Sequence, residues 1–356
     1  VPTASIDTFF ACSLMTILVL SAMAGLSTTL SPYLTCSFNE GGKERCIQIA
    51  KYMLLSSGVP PNWGENGEIT PESFGLAEIG EAEAYALDVD KVSRLNSENA
   101  YALSYSELRE CFGISDVAFK ISIKPVFEVQ VNMSSKTVAE TSTVYTFGIT
   151  TAKAGLPVPT RVKGYVVAED YVNSTQSLVS QVGQVTINVS IPNTSSGQAV
   201  LVLFARHAFN PQISSFAVYY FQHNSEEPLQ ENSFLRLSPL NYTLTVSKQV
   251  STANISKAYA FTFNYWRELA EFQNSGESIQ YSIPRLLDPS PFVLVVTGRN
   301  STRFFVEYVS YPQIPLEIGA DFDSSFTRTN LEVVQQLVVI NQAVYEFMVV
   351  YGAPGL

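Results

Sequence analysis

Side chains able to do chemistry are few in this sequence. Its 356 residues contain two histidines, His207 and His223. One follows a strand-like run ending Phe204-Ala205-Arg206 and the other opens a loop-like stretch, so both read as surface positions. A glycosidase needs two carboxylates across a scissile bond. Asp321 and Asp323 are the best local pair, and their i, i+2 spacing among Ser and Thr reads as a loop. The acids Glu78, Glu81, Glu83, Asp88 and Asp90 raise the question of calcium. An EF-hand loop needs acids at alternate positions, a central Gly and a closing Glu. The central Gly is missing here and position 92 is Val92, so a solvated acidic face is the better reading. The motifs G-x-S-x-G, H-E-x-x-H, the P-loop and G-x-G-x-x-G do not occur. These residues assign no catalytic and no metal-binding role, and the chain reads as a non-enzyme without a cofactor.

The four cysteines, Cys12, Cys36, Cys46 and Cys111, make neither a C-x-x-C nor a Cys/His metal pattern. Cys12 sits in an apolar segment and reads as a buried thiol. Cys36–Cys46 is the favoured disulfide, because Gly41 and Gly42 permit a turn between them. Ten residues of unbroken helix would span ~15 Å, too far to bridge. Cys46–Cys111 is the rival pairing.

Elements that position such side chains follow from composition. Apolar residues make up 46% and charged residues only 15%, with 22 Phe and 18 Tyr. Low charge with many aromatic residues suits buried sheets. A net charge of −11 excludes a nucleic-acid partner, since Lys and Arg on phosphates dominate that binding.

The chain opens VPTASIDTFFACSLMTILVLSAMAGLSTTLSPYL, with Asp7 its only charged side chain before Glu40. Phe9 to Leu26 is apolar and long enough to span a membrane. A signal peptide would carry a basic n-region and a shorter apolar run. The segment resembles the mature N-terminus of archaeal type IV pilins and archaellins. That resemblance, over about the first 55 residues, implies a short basic leader removed by a prepilin peptidase. It implies a helix, residues ~5–55, that anchors the subunit in the membrane and then packs in a filament core with the assembly machinery's help. In bacterial relatives an acid near the start pairs with a neighbour's terminal amine, and Asp7 is the nearest acid here. Phe9, Phe10, Leu14, Leu18 and Leu20 would be the assembly contacts, and Pro32 would kink the helix.

Domain boundaries follow from the punctuation. Residues 1–56 form the expected N-terminal helix, stopped by Ser56-Ser57-Gly58 and two prolines. Residues 57–116 read as a helical neck. There Trp63 is a packing anchor whose indole N–H needs an acceptor, and Ser104 with Glu107 makes a capping box closed by Gly113. The run PPNWG…FGLAE…YALDVDKVSRL resembles a segment of archaeal pilin-like surface proteins. Residues 117–356 show short β-rich runs between Gly, Pro, Ser and Asn turns, ending in a hairpin at Asn341-Gln342. Gly155-Leu156-Pro157-Val158 and Gly183-Gln184-Val185 resemble turn-and-strand signatures of bacterial-type Ig-like domains and imply such a unit at about 136–222. The expected class is α+β, mainly β: a long hydrophobic helix, a small neck and an antiparallel sandwich head.

Asn-x-Ser/Thr sequons occur at Asn132, Asn173, Asn188, Asn193, Asn241, Asn254 and Asn300. Seven of the fourteen Asn after Val117 are in sequons and none of the five before it, where chance predicts roughly two or three in the later stretch. The excess predicts an extracellular, N-glycosylated head. The function expected is a structural subunit of a type IV pilus-like filament, a self-assembling helical polymer that touches cells or abiotic surfaces. The alternative is a single-pass, membrane-anchored extracellular binding protein, such as an adhesin, S-layer component or solute receptor.

Overall fold

The computed structural model describes residues 44–80, 83–113, 118–285, 288–322 and 331–352. Strands make up 55% of the structure and helices 9%, in three helices. This corrects the expected α+β class: among the described residues there is no long apolar helix, and none is long and apolar enough to cross a membrane. The cause is local. Helix α1 runs over 44–55 and stops where Gly58 takes a positive φ of 76°. A Cβ there would sit 2.5 Å from the Ser73 carbonyl oxygen, so only glycine fits. The other two helices are a single turn and two turns between loops. The N-terminal part of the expected helix, with Asp7, Phe9, Phe10, Leu14, Leu18 and Leu20, lies outside the described residues.

The chain builds three β units. The base begins with α1, β1 (Ala86–Leu87), α2 (Val89–Ser93), α3 (Tyr105–Phe112) and β2 (Ala118–Pro125). Asp88 caps α2 by accepting from the Asp90 and Lys91 amides. Ser104 and Glu107 cap α3 reciprocally, and Gly113 closes it in the left-handed region.

A sandwich follows: β3 (Glu128–Val138), β4 (Ser142–Lys153), β5 (Leu156–Pro157), β6 (Thr160–Ala168), β7 (Tyr171–Ser174), β8 (Leu178–Ser180), β9 (Gln184–Pro192), β10 (Gly197–His207) and β11 (Ser214–His223). One sheet holds β3, β4, β5 and β9; the other has the order β11-β10-β6-β7, with β8 on β6. Tyr145, Phe147, Ile187 and Leu201 lie in the core between them.

A second sandwich contains β12 (Leu235–Leu240), β13 (Thr243–Lys248), β14 (Ala253–Phe261), β15 (Trp266–Glu268), β16 (Ala270–Asn274), β17 (Ser278–Ser282), β18 (Phe292–Asn300) and β19 (Arg303–Tyr311). Its sheets run β12-β13-β17-β16 and β15-β14-β18-β19. The chain then returns to the base with β20 (Leu316–Gly319), β21 (Leu331–Ile340) and β22 (Ala343–Gly352). The base sheet has the order β1-β21-β22-β2-β20, so β2 pairs with strands about 200 residues later in the chain. Asn341 and Gln342 both take positive φ, 47° and 67°, and turn the last hairpin. One face of this sheet packs on α1 and the neck through Met53, Trp63, Phe74, Leu108, Phe119 and Phe347.

The two sandwiches are stacked rather than strung. Tyr165, Val167, Val200, Val202 and Phe204 of the first bury against Tyr259, Phe261, Val293, Val295 and Val306 of the second. The central strands of two sheets therefore have no solvent face. They read as continuous apolar runs, Ala199–Ala205 and Phe292–Val296, rather than as alternation.

Candidate functional site

Three joints hold the units together, and each is built around a buried charge. At the first, Asp90 of α2 accepts the Tyr311 hydroxyl at 2.7 Å and the Asn241 amide at 2.7 Å, tying the neck to the second sandwich. Burial pushes its carboxyl up to about 6, against the pull of those two hydrogen bonds. Around it Asn99 donates to the Pro239 carbonyl and the Gln313 side chain, and Arg236 donates to the carbonyls of Glu98 and Asn99.

At the second joint, Arg206 at the end of β10 pairs with buried Asp288, and its guanidinium lies 4.3 Å from the Phe263 ring centre. Asp288 also accepts the Thr262 hydroxyl at 2.9 Å and the Asn264 amide at 3.0 Å. Burial lowers the Arg206 pKa to about 10. The third is Glu307, 6% exposed in β19. It accepts from Gln230, Ser233 and the amides of Phe234 and Leu235, pinning the connection between the sandwiches. A buried carboxylate is tolerated when its lone pairs are filled in this way.

Where the three units meet they leave a cleft of about 1030 Å³. The outer face of the base sheet supplies Lys124, Gln335 and Glu346; β11 supplies Phe216 and Val218; β19 and the segment after it supply Val309 and Ile314. The floor is apolar. Both lysines that line it are paired, Lys124 with Glu317 at 3.3 Å and Lys153 with Glu346 at 3.9 Å, and Glu98 and Glu128 add acids to the lining. Tyr308 lines the wall 38% exposed, and burial followed by the Glu98 charge raises its phenol. Among the described residues neither His nor Cys lines the cleft. It is fitted to hold a ligand by apolar contact and a few hydrogen bonds.

The residues singled out from sequence are scattered over the fold. His223 is buried, not on the surface: its ring contacts the Tyr145 hydroxyl and the Pro192 carbonyl, both at 2.9 Å, and desolvation lowers its pKa. His207 is half-buried and accepts from the Phe209 and Asn210 amides. Cys46 is a buried free thiol and Cys111 a free thiol donating to the Pro71 carbonyl, so these two are not bonded to each other. Cys36, the favoured partner of Cys46, lies outside the described residues, as does Asp323. Trp63 is fully buried and donates to the Gly75 carbonyl at 3.1 Å. Of the acid run, Asp88 caps α2 and Asp90 serves the joint, and Glu81 lies outside the described residues.

Among the sequons, Asn132, Asn173, Asn188, Asn241 and Asn254 are exposed, and Asn193 and Asn300 are half-buried. The Asn193 amide is consumed: it donates to the Ala139 and Glu140 carbonyls and accepts the Thr143 hydroxyl at 2.8 Å. Asn173 donates to the Tyr171 hydroxyl at 2.8 Å.

Sequence reasoning missed the three joints. Two carried a visible signal: Glu307 is the lone acid in the apolar run RFFVEYVSY, and Arg206 ends the longest apolar strand. The cleft carried none, because its walls come from distant parts of the chain.

No family model matches this sequence, and no curated protein matches it. Among solved structures the chain is similar to HBP35 of Porphyromonas gingivalis, at 13% identity over 52% of this chain and 63% of that one, with a TM-score of 0.18. The match spans less than two thirds of that protein, and a likeness this loose carries no argument about fold or function.

Proposed function

We propose that this chain is a structural subunit of an extracellular, pilus-like surface filament. Its apolar stretch, Phe9 to Leu26, drives attachment and polymerisation, and its stacked sandwiches form the displayed head. The observation that supports this best is the position of the sequons: none of the seven asparagines is buried, and five are exposed. The fused sandwiches also suit a protein whose work is to present a rigid surface. The test is electron microscopy of detergent-free material sheared from cells. Thin filaments whose reconstruction puts residues 1–43 at the axis support the reading. Material that stays with membranes and yields single particles only in detergent refutes it.

The cleft favours a second reading, a membrane-tethered binding protein. A pocket of about 1030 Å³ with an apolar floor is of ligand-binding size. Tight retention of one glycan or peptide from a displayed library, abolished by Phe216→Asp, would move the conclusion to that reading.

A further inference from the structure

Strand β11 ends its sheet, with β10 as its ladder partner. The His207 amide donates to the Ile213 carbonyl at 2.9 Å, which sets the phase of that ladder. The register against β10 is unbroken, so Ser215, Ala217 and Tyr219 spend their backbone groups on β10. Phe216 and Val218 each turn an N–H and a C=O to the other side. The two ends of this edge are taken: the Gln212 carbonyl accepts the Val344 amide at 2.9 Å, and the Gln222 carbonyl accepts the Tyr145 hydroxyl at 3.5 Å. Between them, among the described residues, no strand pairs with β11.

That open stretch faces the cleft, where Ser215, Phe216, Ala217 and Val218 all form part of the lining. Side chains along a strand alternate between its faces. Phe216 and Val218 pack toward the second sandwich, while Tyr219 and Phe221 pack into the core of the first. Four consecutive residues share only the edge of the strand, so the backbone itself is part of the cleft wall. β11 has no bulge, Pro, Gly, Lys or sequon to turn an added strand away. The β21 edge is as plain, but of that strand only Gln335 reaches the cleft. An extended residue takes about 160 Å³, from the rise, strand spacing and sheet spacing of β-structure. The cleft, at about 1030 Å³, therefore has room for about six such residues.

Charge decides which kind of segment fits. Lys124 and Lys153 are neutralised by Glu317 and Glu346. Glu98 and Glu128 are exposed and in no ion pair among the described residues. Arg236 commits its guanidinium to the Glu98 and Asn99 carbonyls. Glu98 stands close enough to Tyr308 in the cleft wall to raise its phenol, so a ring and a carboxylate are offered together to one cation. The net charge of −11 adds long-range attraction for a basic partner. The rest of this chain supplies little of that charge: residues 1–43 and 323–330 hold one basic residue each, Lys43 and Arg328. We propose that the cleft takes an extended, basic segment of another protein, added as a strand to β11. Its backbone bonds Phe216 and Val218, its apolar side chains lie on Val309 and Ile314, and its Arg or Lys side chains meet Glu98 and Glu128. This occupant rests on the second reading above in taking the cleft as a binding site, and it suits a polymerised chain as well as a tethered one.

The test is selection by the full chain from a displayed library of random hexapeptides, with a panel of neutral oligosaccharides beside it. Retained peptides should be rich in Arg and Lys and poor in Pro. The tightest is then made in two forms, N-methylated at odd or at even positions. One form should lose at least ~tenfold in affinity and the other little, because an added strand turns only alternate N–H groups to its neighbour. Val218→Pro removes one outward donor from an edge strand, and should cut binding at least ~tenfold at an unchanged melting temperature. Glu98→Gln with Glu128→Gln should weaken binding about fivefold at low salt and less at high salt. No retained peptide, retained peptides without basic residues, equal loss from both methylated forms, or full binding by the proline variant would overturn the proposal. So would slow hydrogen exchange at Phe216 and Val218 in the free protein, because the chain then covers its own edge. Sugars retained without peptides would overturn the peptide and keep the cleft as a binding site; retention of neither would overturn both.

Discussion

Asp90 offers a prediction whose sign and size both come from its surroundings. The carboxyl is 5% exposed, between α2 and the second sandwich. Burial lifts its pKa from the ordinary 3.8 to about 6, even though the Tyr311 hydroxyl and the Asn241 amide both favour the charged form. Between those two values the folded chain holds a proton that the unfolded chain has released. Stability from this group is therefore fully present below pH 3.8 and is lost as pH rises through 6. The gap of about two pH units, at ~1.4 kcal/mol each, is worth ~3 kcal/mol. Replacing Asp90 by Asn keeps an oxygen to accept both hydrogen bonds and removes the charge. Urea unfolding of both proteins, at pH steps from 4 to 7.5, isolates the group from the other carboxylates by difference. At pH 4 the two should be nearly equal. At pH 7.5 the Asn variant should be the more stable by up to ~3 kcal/mol. A flat difference curve, or one in which the wild type gains on the variant as pH rises, would refute the reasoning.

Three further outcomes are expected. Trp63→Ala removes a fully buried indole and strands the Gly75 carbonyl, so it should cost ~3–5 kcal/mol in urea unfolding. Phe261→Ala cuts into the contact between the sandwiches and should cost a similar ~3–5 kcal/mol. Differential scanning calorimetry should show the two sandwiches still melting together, because each shares a face with the other. Glycopeptide mass spectrometry of native protein should find sugar at Asn132, Asn188, Asn241 and Asn254, which are exposed. It should find Asn193 bare, because its amide already serves the Ala139 and Glu140 carbonyls.

Much of the strand content could be read from residues alone, because Val, Ile, Tyr and Phe alternate with polar residues along β4 and β9. The capping pair at Ser104 and Glu107 was legible for the same reason: its chemistry is local. What was not legible is how the units sit together. QAVLVLFA in β10 has no alternation, and a run buried on both faces does not say what covers it. His223 looked like a loop residue because the sequence does not reveal that Tyr145 and Pro192 come to meet it. The overweighting of helix came from residues 1–34, whose composition fits an apolar helix. The described chain beyond them commits to sheets, and Gly58, Pro60 and Pro61 end the helix where the sequence places its stop. The candidate cleft left no trace in local sequence, because Lys124, Phe216, Ile314 and Gln335 meet only after β2 has paired with the last strands.

The stacking of the sandwiches also has a mechanical meaning. Four sheets bonded face to face behave as a laminate, whose resistance to bending rises steeply with the number of plies that cannot slide. Here sliding is blocked by interdigitated aromatics such as Tyr165 and Phe261, whose ring centres lie 5.2 Å apart. The laminate is connected to the base by only two stretches of chain, Pro125 to Glu128 and Tyr311 to Leu316. Load on the head passes to the base through those two stretches and through the joint at Asp90, Asn99 and Arg236, so under tension the head should leave as one block, that joint and the cleft giving way before any sheet within the laminate is torn.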